Sequence, residues 1–385
     1  MAGLLTRNTI VATLALLLGA GSGCDNTTPD GRTPSSCEQG SATITAGTRY
    51  IYMSPTGSDG NPGTEAAPVA TLNRVQGILR DERPDSSVTV RIRSDAGVYN
   101  GQSVIWDYFN PDHDIVFEAW PDSIRASFRQ GGADTVFFVL KVSAGRATYV
   151  RFRRLFVQGY RAGAIWFAGD ADDESGWNGS NSITDCVMED IGNAAQPERH
   201  ISWAVIDLVN SRHNVIRDCS FLDCANANTN DFPQEAGARS PAAGPDQPII
   251  GVYIAHHSSC NQITGCVFRR VMGDAVRIRD DSNENEISYC YFQRAGWTAV
   301  CTMWYQYPQP FSFAGGECPS WNNLFHHNRA EGNWLCGESL LFHDMNTEPG
   351  RRCPKPPDGC AYRIRMWANE SLPCMDGAPK NSAYR

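Results

Sequence analysis

The most regular feature of the chain is a short pattern of polar and apolar positions that recurs four times. It has Asn, an aliphatic residue two positions later, Cys five positions later and a large apolar residue seven positions later. The copies are NSITDCVM (181–188), NVIRDCSF (214–221), NQITGCVF (261–268) and NEISYCYF (285–292). Weaker copies at 150–157 and 323–330 carry Leu155 and Asn328 in the Cys position. Positions five and seven alternate as in a strand, and the gap before them leaves room for a bend.

The spacing of the copies indicates a solenoid. The four Asn residues lie 33, 47 and 24 residues apart, so a constant unit carries insertions of different length. A unit of short strands cannot bury its own apolar face, whereas stacking units about 4.8 Å apart pairs every strand with the next. We therefore predict that the Cys residues of the four copies form one interior column of inert, packing thiols.

The segment ahead of the repeats has a distinctive sequence, IYMSPTGSDGNPGTEAAPVATLNRVQGIL (51–79), which is followed by VTVRIRSDAGVY (88–99). Leu72, Val75, Ile78 and Leu79 are spaced for one face of a helix. These motifs resemble the entry of right-handed parallel β-helix proteins of the pectate-lyase-like superfamily, and the resemblance extends from about residue 50 to about residue 344. It implies an all-β fold, a single right-handed parallel β-helix with an N-terminal capping helix. It implies little about function, because the superfamily contains lyases, hydrolases, epimerases and binding proteins.

The beginning of the chain indicates export. Arg7 precedes an apolar run (10–20) that is too short to span a bilayer comfortably and ends near Cys24. Residues 1–24 resemble a bacterial lipoprotein signal in which Cys24 is lipidated; the alternative is a plain secretory signal. We expect a cell-envelope lipoprotein, in the outer membrane or periplasm, or a secreted protein, with membrane contact only through the lipid anchor. Polar residues 25–48 predict a flexible tether, residues 49–345 the β-helix, and residues 346–385 a Cys- and Pro-rich terminal cap or tail.

Net charge and cysteine count limit the classes of partner and the redox environment that we expect. The net charge of −9 argues against nucleic acid as a partner, and we expect a monomer. Fourteen cysteines in an exported chain favour disulfides. The best candidates are those crowded near the end of the chain, with open connectivity: Cys301, Cys318, Cys336, Cys353, Cys360 and Cys374.

A candidate site follows from aligning the strands that precede three of the Asn residues, VIDLVNS (205–211), GVYIAHH (251–257) and AVRIRDD (275–281). Their inward aliphatic residues leave two outward sets: Asp207, Tyr253 and Arg277 in the first, and Val209, Ala255 and Arg279 in the second. At the strand ends Asn210, His256 and Asp280 would stack, with Ser211, His257 and Asp281 beside them. The polar insert 225–248 predicts a loop that walls a groove beside these residues.

These side chains suit cleavage of a polysaccharide. Arg277 and Arg279 could hold an acidic sugar, and His256 could act as a base oriented by Asp280. Asp207 and Asp280 could instead form the carboxylate pair of a hydrolase. Aromatic faces for sugar stacking would come from Tyr253, Trp304 and Tyr305.

We therefore predict a lyase or glycoside hydrolase acting on an acidic polysaccharide or cell-surface glycan. The alternatives are a non-catalytic solenoid that binds glycans or a protein, and a structural envelope protein. Alternation of Arg and Asp also fits a solvated face held by weak surface ion pairs.

One loop is a candidate calcium site. In GDADDESG (169–176), Asp170, Asp172 and Glu174 alternate as carboxylate ligands of Ca²⁺ do, but the loop lacks the complete twelve-residue calcium pattern and also fits a solvated loop. The resemblance implies that lyases of this superfamily use Ca²⁺ with an arginine or lysine base. No cofactor is required by the sequence, and no Cys and His spacing forms a convincing zinc site.

Overall fold

The computed structural model describes residues 37, 48–130, 135–192, 204–225, 249–296, 300–304, 317–332, 342–344, 356, 360 and 364–372. The predicted signal, with Cys24, lies outside these residues, as do most of the predicted tether and all but the first residue of the insert 225–248. Among the described residues, no helix is long and apolar enough to cross a membrane.

The described residues form one α-helix, one short 3₁₀ helix and 29 strands. The helix α1 spans Leu72–Glu82, and the 3₁₀ helix spans Glu174–Gly176. The strands are β1 Arg49–Met53, β2 Val88–Arg93, β3 Val98–Asn100, β4 Val104–Trp106, β5 Ile115–Trp120, β6 Ala126–Arg129, β7 Val136–Lys141, β8 Val150–Arg153, β9 Leu155–Gln158, β10 Gly163–Ala168, β11 Asn178–Gly179, β12 Ser182–Thr184, β13 Val187–Glu189, β14 Ala204–Val209, β15 Ser211–Arg212, β16 Val215–Arg217, β17 Ser220–Cys224, β18 Ile250–Ala255, β19 Gln262–Thr264, β20 Val267–Val271, β21 Val276–Arg279, β22 Glu286–Ser288, β23 Tyr291–Gln293, β24 Cys301–Trp304, β25 Asn323–His326, β26 Arg329–Glu331, β27 Phe342–Asp344, β28 Ile364–Trp367 and β29 Glu370–Leu372.

The strands assemble into three long sheets in which every pairing is parallel. Sheet A has the order β1-β2-β5-β8-β12-β16-β19-β22-β25-β28, sheet B runs from β3 to β29 and sheet C from β4 to β27. From β2 onward the chain visits A, B and C in that order, once per coil, and the pair β11 and β15 adds a short strand between C and A. Since crossovers between parallel strands of one sheet are right-handed, this is a right-handed parallel β-helix, which confirms the predicted fold.

The Asn residues that open the repeats form a buried ladder along the solenoid. The backbone N–H of Asn181 donates to Oδ1 of Asn214 (3.1 Å), and that of Asn214 donates to Oδ1 of Asn261 (2.9 Å). Asn261 and Asn285 continue the ladder at 2.9 Å per step as far as Asn323. A buried amide side chain therefore satisfies a backbone donor that the turn into sheet A would otherwise leave unpaired.

The Cys residues of the repeats form the predicted interior column. Cys186, Cys219, Cys266 and Cys290 are all buried. Burial raises the pKa of the Cys186, Cys219 and Cys266 thiols, so these thiols stay protonated. The column extends as the weaker repeats predict: Leu155 N–H lies 3.4 Å from Sγ of Cys186, and Cys290 N–H donates to Oδ1 of Asn328.

The bend between sheets A and B occurs at the residue just before each Cys. Asp185, Asp218, Gly265, Tyr289 and His327 hold this position with φ between 52° and 64°. Such a left-handed conformation turns the chain sharply, so the next strand can begin at once. The large apolar position then stacks inside the coil, with Phe221 and Phe268 ring centroids 4.4 Å apart and Phe268 and Phe292 5.0 Å apart.

The helix α1 lies on the same core. Thr71 caps its first turn by accepting a hydrogen bond from Arg74 N–H (3.1 Å), and the four predicted apolar residues are all buried. The predicted helical face is therefore confirmed.

The terminal segment differs from the prediction. Within 346–385, β28 pairs in parallel with β25, and β29 pairs with β26, so the coils continue past the predicted boundary at residue 345. A short strand can follow a Pro-rich stretch without leaving any pattern of its own, which is why composition alone indicated a tail.

One of the cysteines outside the column differs from its prediction as a disulfide candidate. Cys301, one of the predicted disulfide candidates, is a buried thiol in sheet C, because it occupies an inward position of β24. Cys318 and Cys360 are disulfide-bonded, whereas Cys336, Cys353 and Cys374 lie outside the described residues. A disulfide joins Cys37 of the predicted tether to Cys260, with Cα atoms 5.2 Å apart, so the tether is fastened to the solenoid at this point.

Candidate active site

The outer face of sheet C brings the predicted side chains together. We call a set of side chains at equivalent positions on neighbouring strands a column. Asp207 of β14 pairs with Tyr253 of β18, which pairs with Arg277 of β21, so the first predicted column is confirmed. In the second, Val209 pairs with Ala255, and Arg279 pairs with Trp304 of β24.

The strand ends carry a histidine–aspartate pair. Nδ1 of His256 lies 2.8 Å from Oδ2 of Asp280, as the alignment of the strand ends predicts. The other carboxylate oxygen of Asp280 accepts a hydrogen bond from the backbone N–H of Cys318 (3.0 Å). Asp280 is therefore fixed on both oxygens and holds the imidazole of His256 in one orientation.

A second such pair lies beside the first. Nδ1 of His257 is 3.2 Å from Oδ2 of Asp281. Burial would lower the pKa of His257, but the hydrogen bond to Asp281 and the charges of Asp280, Asp281 and Glu174 raise it above its usual value. His256 and His257 both have positive φ, so the chain turns here toward sheet A.

Both arginines of the predicted site are held by carboxylates. Arg279 makes two contacts of 2.6 Å with Glu317, and both residues are buried. Burial would lower the pKa of Arg279, but its interactions with Tyr253 and Glu317 raise it. Nε of Arg277 donates to Oδ2 of Asp274 (2.7 Å), which also accepts from Thr302 Oγ1. Since an arginine base must first lose its proton, these ion pairs argue against Arg277 or Arg279 as the base.

Asp207 is the least satisfied polar group of the site. Its Oδ1 is buried and has no hydrogen-bond partner among the described residues, while the residue as a whole is partly exposed. Burial raises its pKa to about 7, against the opposing pull of His256. Trp166 of β10 pairs with it on one side and Tyr253 of β18 on the other, so Asp207 lies between two aromatic residues on the outer face of the sheet. A carboxyl in such surroundings can donate a proton at neutral pH.

The structure describes only some of the residues predicted to stack on sugar rings. Tyr253 is only 4% exposed, and burial raises its pKa to about 12, so its ring packs within the site and offers no open face. The backbone of Trp304 lies opposite Arg279, and Tyr305 lies outside the described residues. The expectation of an open aromatic face at Tyr253 is therefore wrong, because the side chain is buried.

The acidic loop does not gather its carboxylates. Asp170 Oδ1 accepts from the backbone N–H of Asp172 (3.0 Å), and Glu174 pairs with Arg212 (2.9 Å). Asn210, expected to stack beside His256, instead donates from Nδ2 to the backbone oxygens of Asp170 and Asp173. These contacts build a turn, and the calcium site stays a prediction without a cluster of ligands to support it.

Elsewhere in the described residues, one group of three potential metal ligands lies within 4.8 Å: Cys37, Cys260 and Glu284. Its two cysteines form a disulfide, so their sulfurs are not metal ligands.

Two functional neighbours escaped the sequence analysis. Glu317 follows Arg279 by 38 residues, beyond a segment with no repeat pattern, so nothing placed it beside sheet C. Asp274 lies three residues before Arg277, and this spacing was the one available signal.

Comparisons with known proteins find similarity to solved structures only. No family model and no curated protein matches the chain. Among solved structures, it is similar to a rhamnogalacturonan lyase with 14% identity and a TM-score of 0.46, covering 74% of this chain and 69% of that one. A pectate lyase shows 14% identity and a TM-score of 0.48, over 76% and 65%. An alginate lyase from a Paenibacillus species shows 11% identity and a TM-score of 0.44, over 74% and 81%.

Proposed function

We propose that the chain cleaves a polysaccharide, with Asp207 as the proton donor and His256, oriented by Asp280, as the proton acceptor. The observation that carries the proposal is the buried, unpartnered carboxylate oxygen of Asp207 together with its pKa of about 7. Cleavage of a glycosidic bond requires a proton on the departing sugar oxygen, and a carboxyl with this pKa is about half protonated at neutral pH.

Hydrolysis fits this site better than elimination. Elimination from a uronic acid needs a cation on the sugar carboxylate, and Arg277 and Arg279 are already paired with Asp274 and Glu317. In hydrolysis, His256 would take a proton from the attacking water while Asp207 gives one to the leaving oxygen. Asp280 would keep the imidazole aligned by its 2.8 Å contact. The preference for an acidic glycan remains a prediction for the assay to decide.

The test is a panel of neutral and acidic polysaccharides incubated with the purified full chain. Reducing ends report either reaction, whereas ultraviolet absorbance of an unsaturated product reports elimination only. Asp207→Asn and His256→Gln should each lower the rate by roughly 10²-fold or more. Asp218→Asn is the matched control, because Asp218 is an exposed aspartate at the outer bend of the same coil. Cleavage of no substrate, or full activity of Asp207→Asn, would contradict the proposal; binding without cleavage would favour the non-catalytic solenoid.

We further propose that the chain is exported and anchored through a lipid on Cys24. The disulfide between Cys37 and Cys260 supports an oxidising compartment, as do the disulfide-bonded Cys318 and Cys360. In a bacterial host, the wild-type chain should appear in the membrane fraction and Cys24→Ala should not. Equal distribution of both in the soluble fraction would remove the anchor, and retention in the cytoplasm would remove export.

A further inference from the structure

A second surface of interest lies at the corner between sheets A and B, in the coils of β22, β25 and β28. We call Tyr289, His326, His327 and Trp367 the aromatic corner. Tyr289 is 63% exposed and Trp367 40% exposed. The candidate active site lies at the other end of sheet A, where the chain passes from sheet C into sheet A, so the two surfaces occupy different corners of the solenoid.

The four rings form two stacks. His326 and Trp367 are stacked with ring centroids 4.2 Å apart, and Tyr289 and His327 with centroids 5.0 Å apart. The planes of His326 and His327 meet at 86°, so the stacks stand nearly perpendicular to each other. Stacking on the histidines fixes the exposed Tyr and Trp rings, so little entropy would be lost on binding a ligand.

A polar relay runs through the same rings. Nε2 of His326 lies 3.2 Å from Glu286 Oε1, and Nδ1 of His326 lies 2.8 Å from Nδ1 of His327. With the Nε2 proton of His326 donated to Glu286, the Nδ1 of His326 accepts the Nδ1 proton of His327. Nε2 of the exposed His327 is then an acceptor, placed beside the ring of Tyr289.

The left-handed bend just before the Cys position is held by residues of different size. Asp185, Asp218 and Gly265 hold it in three coils, and Arg154 holds it in an earlier one. In the later coils Tyr289 and His327 hold it, at φ of 55° and 52°. Both are exposed, so their rings add little to the core and are open to a ligand.

The rim beyond the bend is polar. Arg329 lies over the ring of Tyr291, 5.8 Å from its centroid, and its Nε is 3.7 Å from the carboxylate of Glu370. Aromatic faces next to hydrogen-bonding groups match a sugar ring, which has an apolar face and hydroxyl groups around its edge.

We propose that the aromatic corner is a glycan-binding platform, on which a hexose packs against Tyr289 or Trp367 and donates a hydroxyl to Nε2 of His327. The platform would hold a polysaccharide to the solenoid at a corner separate from Asp207 and His256. It requires no cleavage, so it is compatible with an enzyme and with a non-catalytic binding protein.

The test is affinity electrophoresis of the full chain in gels that contain neutral or acidic polysaccharides, in an Asp207→Asn background that prevents turnover. Tyr289→Ala and Trp367→Ala should each weaken binding about tenfold, as expected for loss of one stacking ring. His327→Asn keeps a residue suited to the left-handed bend and should also weaken binding. The matched control is Ile124→Ala, because Ile124 is 52% exposed at a distant turn and should leave binding unchanged.

The outcomes separate this proposal from the proposed enzyme. No retardation by any polysaccharide, or equal retardation of variants and control, overturns the platform. If the variants instead lose self-association in sedimentation velocity and no glycan binds, the corner is a contact between copies of the chain. Loss of binding in the variants of a chain that cleaves nothing would support the platform and remove the catalytic proposal.

Discussion

Replacing Asp207 with Asn should stabilise the protein in a pH-dependent way and lower the proposed cleavage activity. The pKa of Asp207 rises from its ordinary 3.8 to about 7 in the folded chain, because the carboxyl is buried without a partner for Oδ1. Between these two values the unfolded chain is ionised and the folded chain holds a proton. Folding must therefore take up a proton, and stability falls as the pH rises.

The magnitude follows from the shift. About three pKa units at 1.36 kcal/mol each give about 4 kcal/mol as an upper bound, and the partial exposure of Asp207 reduces this to about 2 kcal/mol. Asn mimics the protonated form at every pH. Below pH 3.8 the variant and the wild type should therefore have the same free energy of unfolding. The variant should become the more stable of the two as the pH rises to about 7, and the difference should stay constant above that.

Urea unfolding of both proteins across this pH range measures the difference. Asp218→Asn controls for the general effect of removing a carboxylate, because Asp218 is exposed at the bend of the same coil. A stability difference that stays flat with pH would show that Asp207 titrates like an exposed carboxyl. Its role as a proton donor at neutral pH would then be withdrawn as well, since both rest on the same burial.

Three further predictions concern the scaffold. Asn261→Ala should lower the free energy of unfolding in urea by about 2–4 kcal/mol, because it removes the hydrogen bond to the buried N–H of Asn214 and leaves that donor unpaired. An unchanged free energy of unfolding would contradict the ladder. Cys37→Ser should lower the free energy of unfolding by about 2–4 kcal/mol, since the disulfide joins residues 223 apart in sequence. An unchanged melting temperature would contradict this prediction. Cys266 should resist alkylation until the chain unfolds, because burial raises its pKa; rapid labelling of the native protein would refute the interior column.

The sequence predicted the parts of the molecule that the repeat itself determines. In a parallel solenoid, equivalent positions of successive repeats lie over one another, so the alternation along one strand determines which residues face outward on the next. That reasoning placed Asp207 beside Tyr253 and Tyr253 beside Arg277. It also brought His256 to Asp280, which lies one full coil further along the chain.

The sequence could not predict what covers the outer face. Whether an outward residue is exposed depends on segments that do not repeat, and these have no register to align. Glu317 reaches Arg279 from such a segment, and it converts the expected sugar-binding arginine into a buried ion pair. The disulfide between Cys37 and Cys260 likewise joins residues 223 apart that share no pattern.

Both proposed sites occupy positions where a column changes its residue type. Repeating columns of Asn, Cys or Phe need no further explanation, because like residues stack favourably at the coil spacing of about 4.8 Å. Asp207 interrupts a column between Trp166 and Tyr253 and leaves a buried oxygen unpaired. Tyr289 and His327 place aromatic rings at a bend that earlier coils build with Arg154, Asp185, Asp218 and Gly265. At these two places the regular interior columns give way to groups that can contact a ligand, the Asp207 carboxyl and the exposed Tyr289 ring. The variants Asp207→Asn and Tyr289→Ala test whether these contacts form.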